Sequence, residues 1–167
     1  MDPELLRLAN IAADYLRNRD ETVAVAESSA GGLIASALLA VPGASRYFLG
    51  GAVVYTLQAR QGLVGITQKE MDEAGIRSSS EPYATRLANR IRDIHGSSWG
   101  LAETGAAGPT GNRYGDLAGH SCIAVCGPIN KAMTLETGDN NRADNMLRFA
   151  GNALAQLVDA LQTASGS

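Results

Sequence analysis

Ala24-Val25-Ala26-Glu27-Ser28-Ser29-Ala30-Gly31-Gly32-Leu33-Ile34 is the stretch on which the reading of this chain turns. An apolar run with strand character ends in a small polar knot, and two glycines then open an apolar pattern of helical period. A strand that passes straight into a helix puts the turn between them at the carboxyl edge of a sheet. That is where open α/β sheets keep their sites. The first amides of such a helix are unpaired and carry partial positive charge, so a serine there stands beside donors for a phosphate or an oxyanion. The plainer reading is that Ser28 and Ser29 cap the helix. A second serine, a preceding glutamate and the Gly-Gly pair keep a functional site in view.

Working outward, Pro3 and the stripe Leu5, Leu6, Ile11, Ala12, Leu16 predict a helix over 3–18. The strand over 22–27 is expected to be buried on both faces, and the helix after it is expected over 30–40. A second strand over 47–55 contains Gly50-Gly51, read as a bulge or as a close approach of backbone to ligand. Short helices follow over 56–64 and after the capping box Thr67-Gln68-Lys69-Glu70, then a stronger helix over 80–94. A third strand over 97–103 runs into the glycine-rich loop 104–112. Strands over 121–126 and 132–135 and a closing helix over 142–161 complete the order, with 163–167 expected to fray. This order predicts a single three-layer α/β/α domain over 1–167, its core about 5–161, with a mixed, mostly parallel sheet.

The length of 167 residues suits one domain, and a composition 45% hydrophobic and 19% charged excludes disorder for its bulk. A net charge of −3 without any basic run argues against nucleic acid or an anionic membrane as partner. No stretch has the length of a membrane span and no signal peptide is seen, so a cytoplasmic address is expected. Cys122 and Cys126, four apart on one strand, point to the same face too far apart for an easy disulfide. They read as buried thiols in a reducing compartment. Homo-oligomerisation is left open.

No His, Cys and carboxylate spacing fits a metal site, and no cofactor is implied. His95 ends a helix, where its charge suits the dipole, whereas His120 lies beside the glycine loop as a minor candidate. The nucleophile elbow of α/β-hydrolases, the phosphate-binding P-loop and the dinucleotide-binding glycine pattern are all missing. What remains are Ser28, Tyr55 and the turn 105–111, each at a predicted strand end, which converge on one cleft if the strands are neighbours.

These residues resemble those of a known family. Glu27-Ser28-Ser29-Ala30-Gly31-Gly32 is similar to its E-S-C-T-G-G, and Gly51-Ala52-Val53-Val54-Tyr55-Thr56 to its G-x-V-x-Y-S. Thr104-Gly105-Ala106-Ala107-Gly108-Pro109 is similar to T-G-I-A-G-P, and Gly138-Asp139 with Arg142 to a G-D-R before the last helix. The chain thus resembles the C-terminal domain of the competence/damage-inducible protein CinA. Larger members carry a further N-terminal pyrophosphatase domain, for which this chain has no room. The resemblance implies a nicotinamide-nucleotide amidase, which turns nicotinamide mononucleotide into nicotinate mononucleotide and ammonia with a Ser/Lys arrangement and a tyrosine. The serine falls on Ser28 and the tyrosine on Tyr55, but the lysine position falls on Arg60. Arginine keeps its charge and cannot take a proton from Ser28 at neutral pH. Ser29 and Ala30 stand for the family's cysteine and threonine, and Met146 for a second arginine.

Three readings follow. In the first, Ser28 attacks a carboxamide, amides near Ala30, Gly31 and Gly32 hold the oxyanion, and Tyr55, activated by Arg60, relays the proton. Thr104, Gly105, Gly108, Thr110 and Arg142 would bind a phosphorylated nucleotide, with Arg60 a second candidate for its phosphate. In the second, the same pocket binds a nucleotide without turnover. In the third, a different hydrolase pairs Ser28 with His120 or Asp116 as base.

Overall fold

Asp2 starts the first helix by accepting from the amides of Glu4 and Leu5, and Pro3 supplies a first turn that needs no donor. That helix, α1 (Pro3–Asn18), buries Leu5, Leu8, Ala9, Ala12, Ala13 and Leu16 along one side. The computed structural model describes residues 1–166. The chain continues through β1 (Val23–Glu27), α2 (Leu33–Ala40), a 3-10 turn (Ala44–Arg46), β2 (Phe48–Val53), α3 (Leu57–Val64) and α4 (Gln68–Glu73). It then forms α5 (Glu81–His95), β3 (Trp99–Ala106), β4 (His120–Cys126), β5 (Lys131–Glu136) and α6 (Arg142–Ser165). Thr56, Thr67, Ser80 and Asn141 cap α3, α4, α5 and α6, each with a side-chain oxygen on amides two or three residues on.

The five strands form one sheet in the order β2-β1-β3-β4-β5. β1 is parallel to β2 and β3, whereas β4 is antiparallel to β3 and to β5, so four of the five strands run one way. β1 and β4 are buried throughout, and the edge strands β2 and β5 alternate between half-buried and exposed. Side chains alternate across the sheet. Val23, Val25, Leu101, Ile123 and Val125 join the core beneath α1, α2 and α6, while Ala24, Ala26, Ala102, Cys122 and Cys126 face α5 and its neighbours. Both cysteines are free and buried on that same face.

The boundaries differ from expectation at three informative places. Helix α2 begins at Leu33 rather than at residue 30, because Gly31 and Gly32 take φ of 66° and 97°, which no helix accommodates. Strand β3 continues to Ala106, so Thr104 and Gly105 belong to the sheet rather than to the loop after it. Helix α6 extends to Ser165, through most of the segment expected to fray, with the Arg19 guanidinium on Leu161 O and Ser165 Oγ. Ser167 lies outside the described residues. The Gly50-Gly51 pair is not a ligand approach: the β1–β2 register slips at Leu49, and a Cβ on Gly50 would come within 2.5 Å of His95 Nε2.

The tightest contact between layers lies where α5 crosses β3. A Cβ on Gly100 would stand 1.9 Å from the carbonyl oxygen of Ala88, a backbone atom that cannot swing aside. Gly100→Ala is expected to destabilise the protein by about 2 kcal/mol, the scale of overpacking a closed core, and to lower the melting temperature by roughly 5 °C. A thermal unfolding curve indistinguishable from wild type would show that α5 is free to lift off the sheet.

Candidate active site

Because β1, β2 and β3 are parallel neighbours, their carboxyl ends meet at one edge of the sheet. The chain leaves β1 toward β2 on one side and returns to β3 on the other, which opens a crevice at the end of β1. Ser28 follows β1, Tyr55 lies just past β2, and Thr104 and Gly105 close the end of β3. All four line one cleft of about 480 Å³, together with Arg60, Ser79, Tyr83, Asn112, Arg113 and Tyr114. A smaller lobe of about 250 Å³ adjoins it, sharing Tyr55, Gly105 and Asn112, and is lined by Ser29, Gly108, Thr110 and Arg142.

The serine turn is built on two buried glutamates. Glu27 ends β1 and accepts from the amides of Gly32 (3.0 Å), Ile34 (3.0 Å) and Ala35 (2.8 Å), so it caps α2, whose own N-cap glycine offers no side chain. Glu103, on the neighbouring strand, accepts through Oε2 from the amides of Ser28 (3.1 Å) and Ala30 (2.8 Å), and through Oε1 from the Ser121 hydroxyl (3.2 Å). Burial raises the Glu27 carboxyl above its usual range against the pull of the Ala35, Ile34 and Gly32 amides. Burial likewise pushes Glu103 up to about 7; the Glu27 charge adds to the rise, and the Ala30 and Ser28 amides and Ser121 oppose it. Neither glutamate was singled out from the sequence as a partner of the turn. The signal was there: two apolar runs pass alike into small polar residues, in Ala26-Glu27-Ser28 and Ala102-Glu103-Thr104.

The amides expected to hold an oxyanion are therefore engaged elsewhere. Ala30 donates to Glu103, Gly31 to the carbonyl of Ser28 and Gly32 to Glu27, and none of the three lines the cleft or its smaller lobe. Gly31 instead backs onto α6, where a Cβ would meet Met146 Cε at 2.9 Å.

The arginine that partners Tyr55 is not the one expected. Arg142, at the start of α6, donates to the Tyr55 hydroxyl (3.2 Å) and to the carbonyl of Gly108 (2.7 Å), and so ties the glycine turn to the tyrosine. Arg60 does not partner Tyr55. It is 3% exposed, donates to Ile66 O and Gln68 Oε1, and lies 5.9 Å from the centre of the Tyr83 ring. Burial raises the Tyr83 phenol above its ordinary value, against the pull of the nearby Arg60 charge.

His120 and Asp116 are not free to serve as a base for Ser28. His120 binds Glu136 through Nδ1 and the carbonyl of Ser79 through Nε2 (2.9 Å). Asp116 takes a forked pair of bonds from Arg77 (2.7 and 3.0 Å) and one from Asn112 (2.8 Å). Their work is to hold the loop carrying Asn112 and the residue Ser79, both of which line the cleft.

A hydroxyl-bearing turn at the carboxyl edge of a three-layer α/β sheet, beside arginines and glycine turns, places a concave cleft where open α/β sheets keep their sites. The chain belongs to the CinA C-terminal domain family, whose model matches residues 5–161. A CinA-like protein of Gloeothece citriformis is 35% identical over 153 residues, covering 90% of this chain and 36% of the relative. One of Prochlorococcus marinus is 41% identical over 121 residues, covering 72% of this chain and 28% of the relative. The chain thus spans about a third of the length of such relatives. Among solved structures, a CinA superfamily protein of Enterobacter cloacae superposes with a TM-score of 0.85 at 27% identity, over 94% of this chain and 92% of that one. One from Klebsiella pneumoniae does so with a TM-score of 0.87 at 22% identity, over 95% and 98%, and shares the fold. No helix among the described residues is long and apolar enough to cross a membrane.

The histidine clamp has a pH signature. Burial works against charge on His120, but the bonds to Glu136 and Ser79 and the nearby Asp116 and Glu136 charges lift the imidazole above its ordinary 6.5. A folded-state value above the unfolded one means stabilisation that is complete below about pH 6.5 and lost as pH rises through the raised value. Glu136→Gln should flatten this decline. Urea midpoints measured from pH 5 to 9 check it, and equal slopes in the two proteins would remove the clamp's role.

Proposed function

We propose that this chain is an amidohydrolase that acts on the carboxamide of a phosphorylated pyridine nucleotide, converting nicotinamide mononucleotide to nicotinate mononucleotide and ammonia. Membership of the CinA family supports the reading, and one observation carries it. The cleft brings together a serine hydroxyl without a hydrogen-bond partner and a buried guanidinium without a carboxylate partner, among the described residues. A buried charge left unpaired is costly, so Arg60 is read as awaiting an anion, and a phosphate matches its forked donors.

In this reading Ser28 Oγ attacks the carboxamide carbon while its proton passes by way of Tyr55, held by Arg142, to the leaving nitrogen. The C–N bond breaks and ammonia departs. Water then hydrolyses the acyl-serine, yielding the carboxylate and restoring Ser28. A second reading, a nucleotide-binding module without turnover, is favoured by one specific observation: no imidazole, amine or carboxylate is hydrogen-bonded to the Ser28 hydroxyl among the described residues, and Arg60 cannot accept its proton.

Ammonia release from nicotinamide mononucleotide tests the first reading. Slow turnover is expected, abolished in Ser28→Ala, and Arg60→Lys, which loses the forked contacts of the guanidinium, should raise KM for the mononucleotide at least about threefold. Titration calorimetry should show the mononucleotide binding at least about tenfold more tightly than nicotinamide riboside, the scale of a charged hydrogen bond. An inert wild-type protein that retains this preference would establish the binding module. Equal affinities would remove the phosphate from the reading.

A further inference from the structure

The serine turn holds one amide that no group among the described residues uses. Ser28 and Ala30 donate to Glu103, Gly32, Ile34 and Ala35 to Glu27, Gly31 to the carbonyl of Ser28, and Leu33 to that of Ala30. Ser29 N–H has no partner among the described residues, although Ser29 is only 4% exposed and lines the smaller lobe with Arg142. A buried amide without a partner is rare and costly. It follows the candidate nucleophile directly in the chain, where hydrolases with a strand-to-helix nucleophile turn place an oxyanion donor.

We propose that Glu103 is a positioning residue: by clamping the amides on either side of Ser29 it presents the Ser29 amide to the cleft as the oxyanion donor for attack by Ser28. The assignment of an oxyanion rests on the amidase reading, whereas the clamp does not. Glu103 is no base for Ser28. Its Oε2 is on the two amides and its Oε1 on Ser121, with no bond to the Ser28 hydroxyl, so it acts through the backbone.

The clamp is built to carry a proton without losing a partner. Ser121 can donate to an ionised Glu103 or accept from a protonated one, and Oε2 accepts from Ser28 and Ala30 in either state. Glu27 on β1 is the charged group that acts on Glu103. β4 presents the Ser121 hydroxyl, the serine turn presents the Ser28 and Ala30 amides, and α6 buries Asn145, Phe149, Ala150 and Ala153, all uncharged. Bonds to the ionised carboxylate are the stronger ones. Since burial pushes Glu103 up to about 7, the turn is held most tightly above that pH.

Two variants and two measurements test this. Glu103→Gln keeps an acceptor without charge, and Glu103→Leu removes both. If the Ser29 amide stabilises the transition state, Glu103→Leu should lower kcat at least about tenfold and leave KM within about threefold, as losing an oxyanion donor does. Glu103→Gln should retain kcat near the wild-type plateau but lose the acidic limb of the pH profile centred near 7. Independently of turnover, the amide shifts of Ser28 and Ala30 in nitrogen-15 NMR spectra should titrate near pH 7 in wild type and stay flat in Glu103→Gln. A wild-type kcat in Glu103→Leu overturns the oxyanion role. Amides that do not titrate in wild type overturn the clamp, and this readout decides if the protein is inert or Glu103→Leu does not fold.

Discussion

Two carboxylates lie side by side beneath the start of one helix, and the placement of the serine turn depends on them. Glu27 ends β1, Glu103 lies on its parallel neighbour β3 three residues before that strand ends, and together they take five amides from the Ser28 turn and the first turn of α2. Isolated, either buried carboxylate would be costly. Here charge-assisted bonds and the positive end of α2 offset the burial. The balance is not symmetric. Glu27 has three donors and the helix end, whereas Glu103 has two amides and a reversible hydroxyl, and it also feels the charge of Glu27. Of the two, Glu103 is the one pushed to about 7.

The sheet order turns this local arrangement into a cleft. With β1 between β2 and β3, the serine turn has Tyr55 on one side and the end of β3 on the other. Helix α6 then reaches back across the edge, and Arg142 joins Tyr55 to the carbonyl of Gly108. On the opposite face, α5 sits close enough on β3 that only glycine fits at position 100. The loop after β3 is pinned from outside by Arg77 on Asp116, and Asp116 in turn holds Asn112. The site is thus framed by elements from both helical layers, whereas the nucleophile candidate itself depends only on β1 and its neighbours.

Much of this was legible in the residues, and the rest was hidden for identifiable reasons. Helices α1, α5 and α6 announce themselves through Pro3, Ser80 and long apolar stripes, and the unbroken apolar run of β1 marks a central strand. The convergence of Ser28, Tyr55 and Gly105 follows from three parallel strand ends, and the structure brings them to one cleft. Hydrogen-bond partners were harder to read. Tyr55 and Arg60 are five apart in sequence, which invites a pairing, but α3 carries Arg60 toward Ile66, Gln68 and Tyr83. The actual partner of Tyr55 lies 87 residues away on α6. The serines at the head of α2 looked like its caps, yet the cap comes from the strand before them, because Gly31 and Gly32 delay the helix and leave its first amides above Glu27.

Arg60 shows how one side chain changes the logic of a site without changing its shape. Lysine in a buried position can lose its charge and so become a base, which lets the environment choose between cation and neutral amine. Arginine has no such exit, so the protein around it must tolerate a permanent cation. It does so with a carbonyl from Ile66, the amide oxygen of Gln68 and the face of Tyr83, all of them dipoles or π density, and without a carboxylate among the described residues. Such a setting solvates the guanidinium without neutralising it. The net positive charge is then expressed toward the cleft. Under the proposed function an anion in the cleft completes that charge, so the part assigned to the arginine is to recognise charge and not to move a proton.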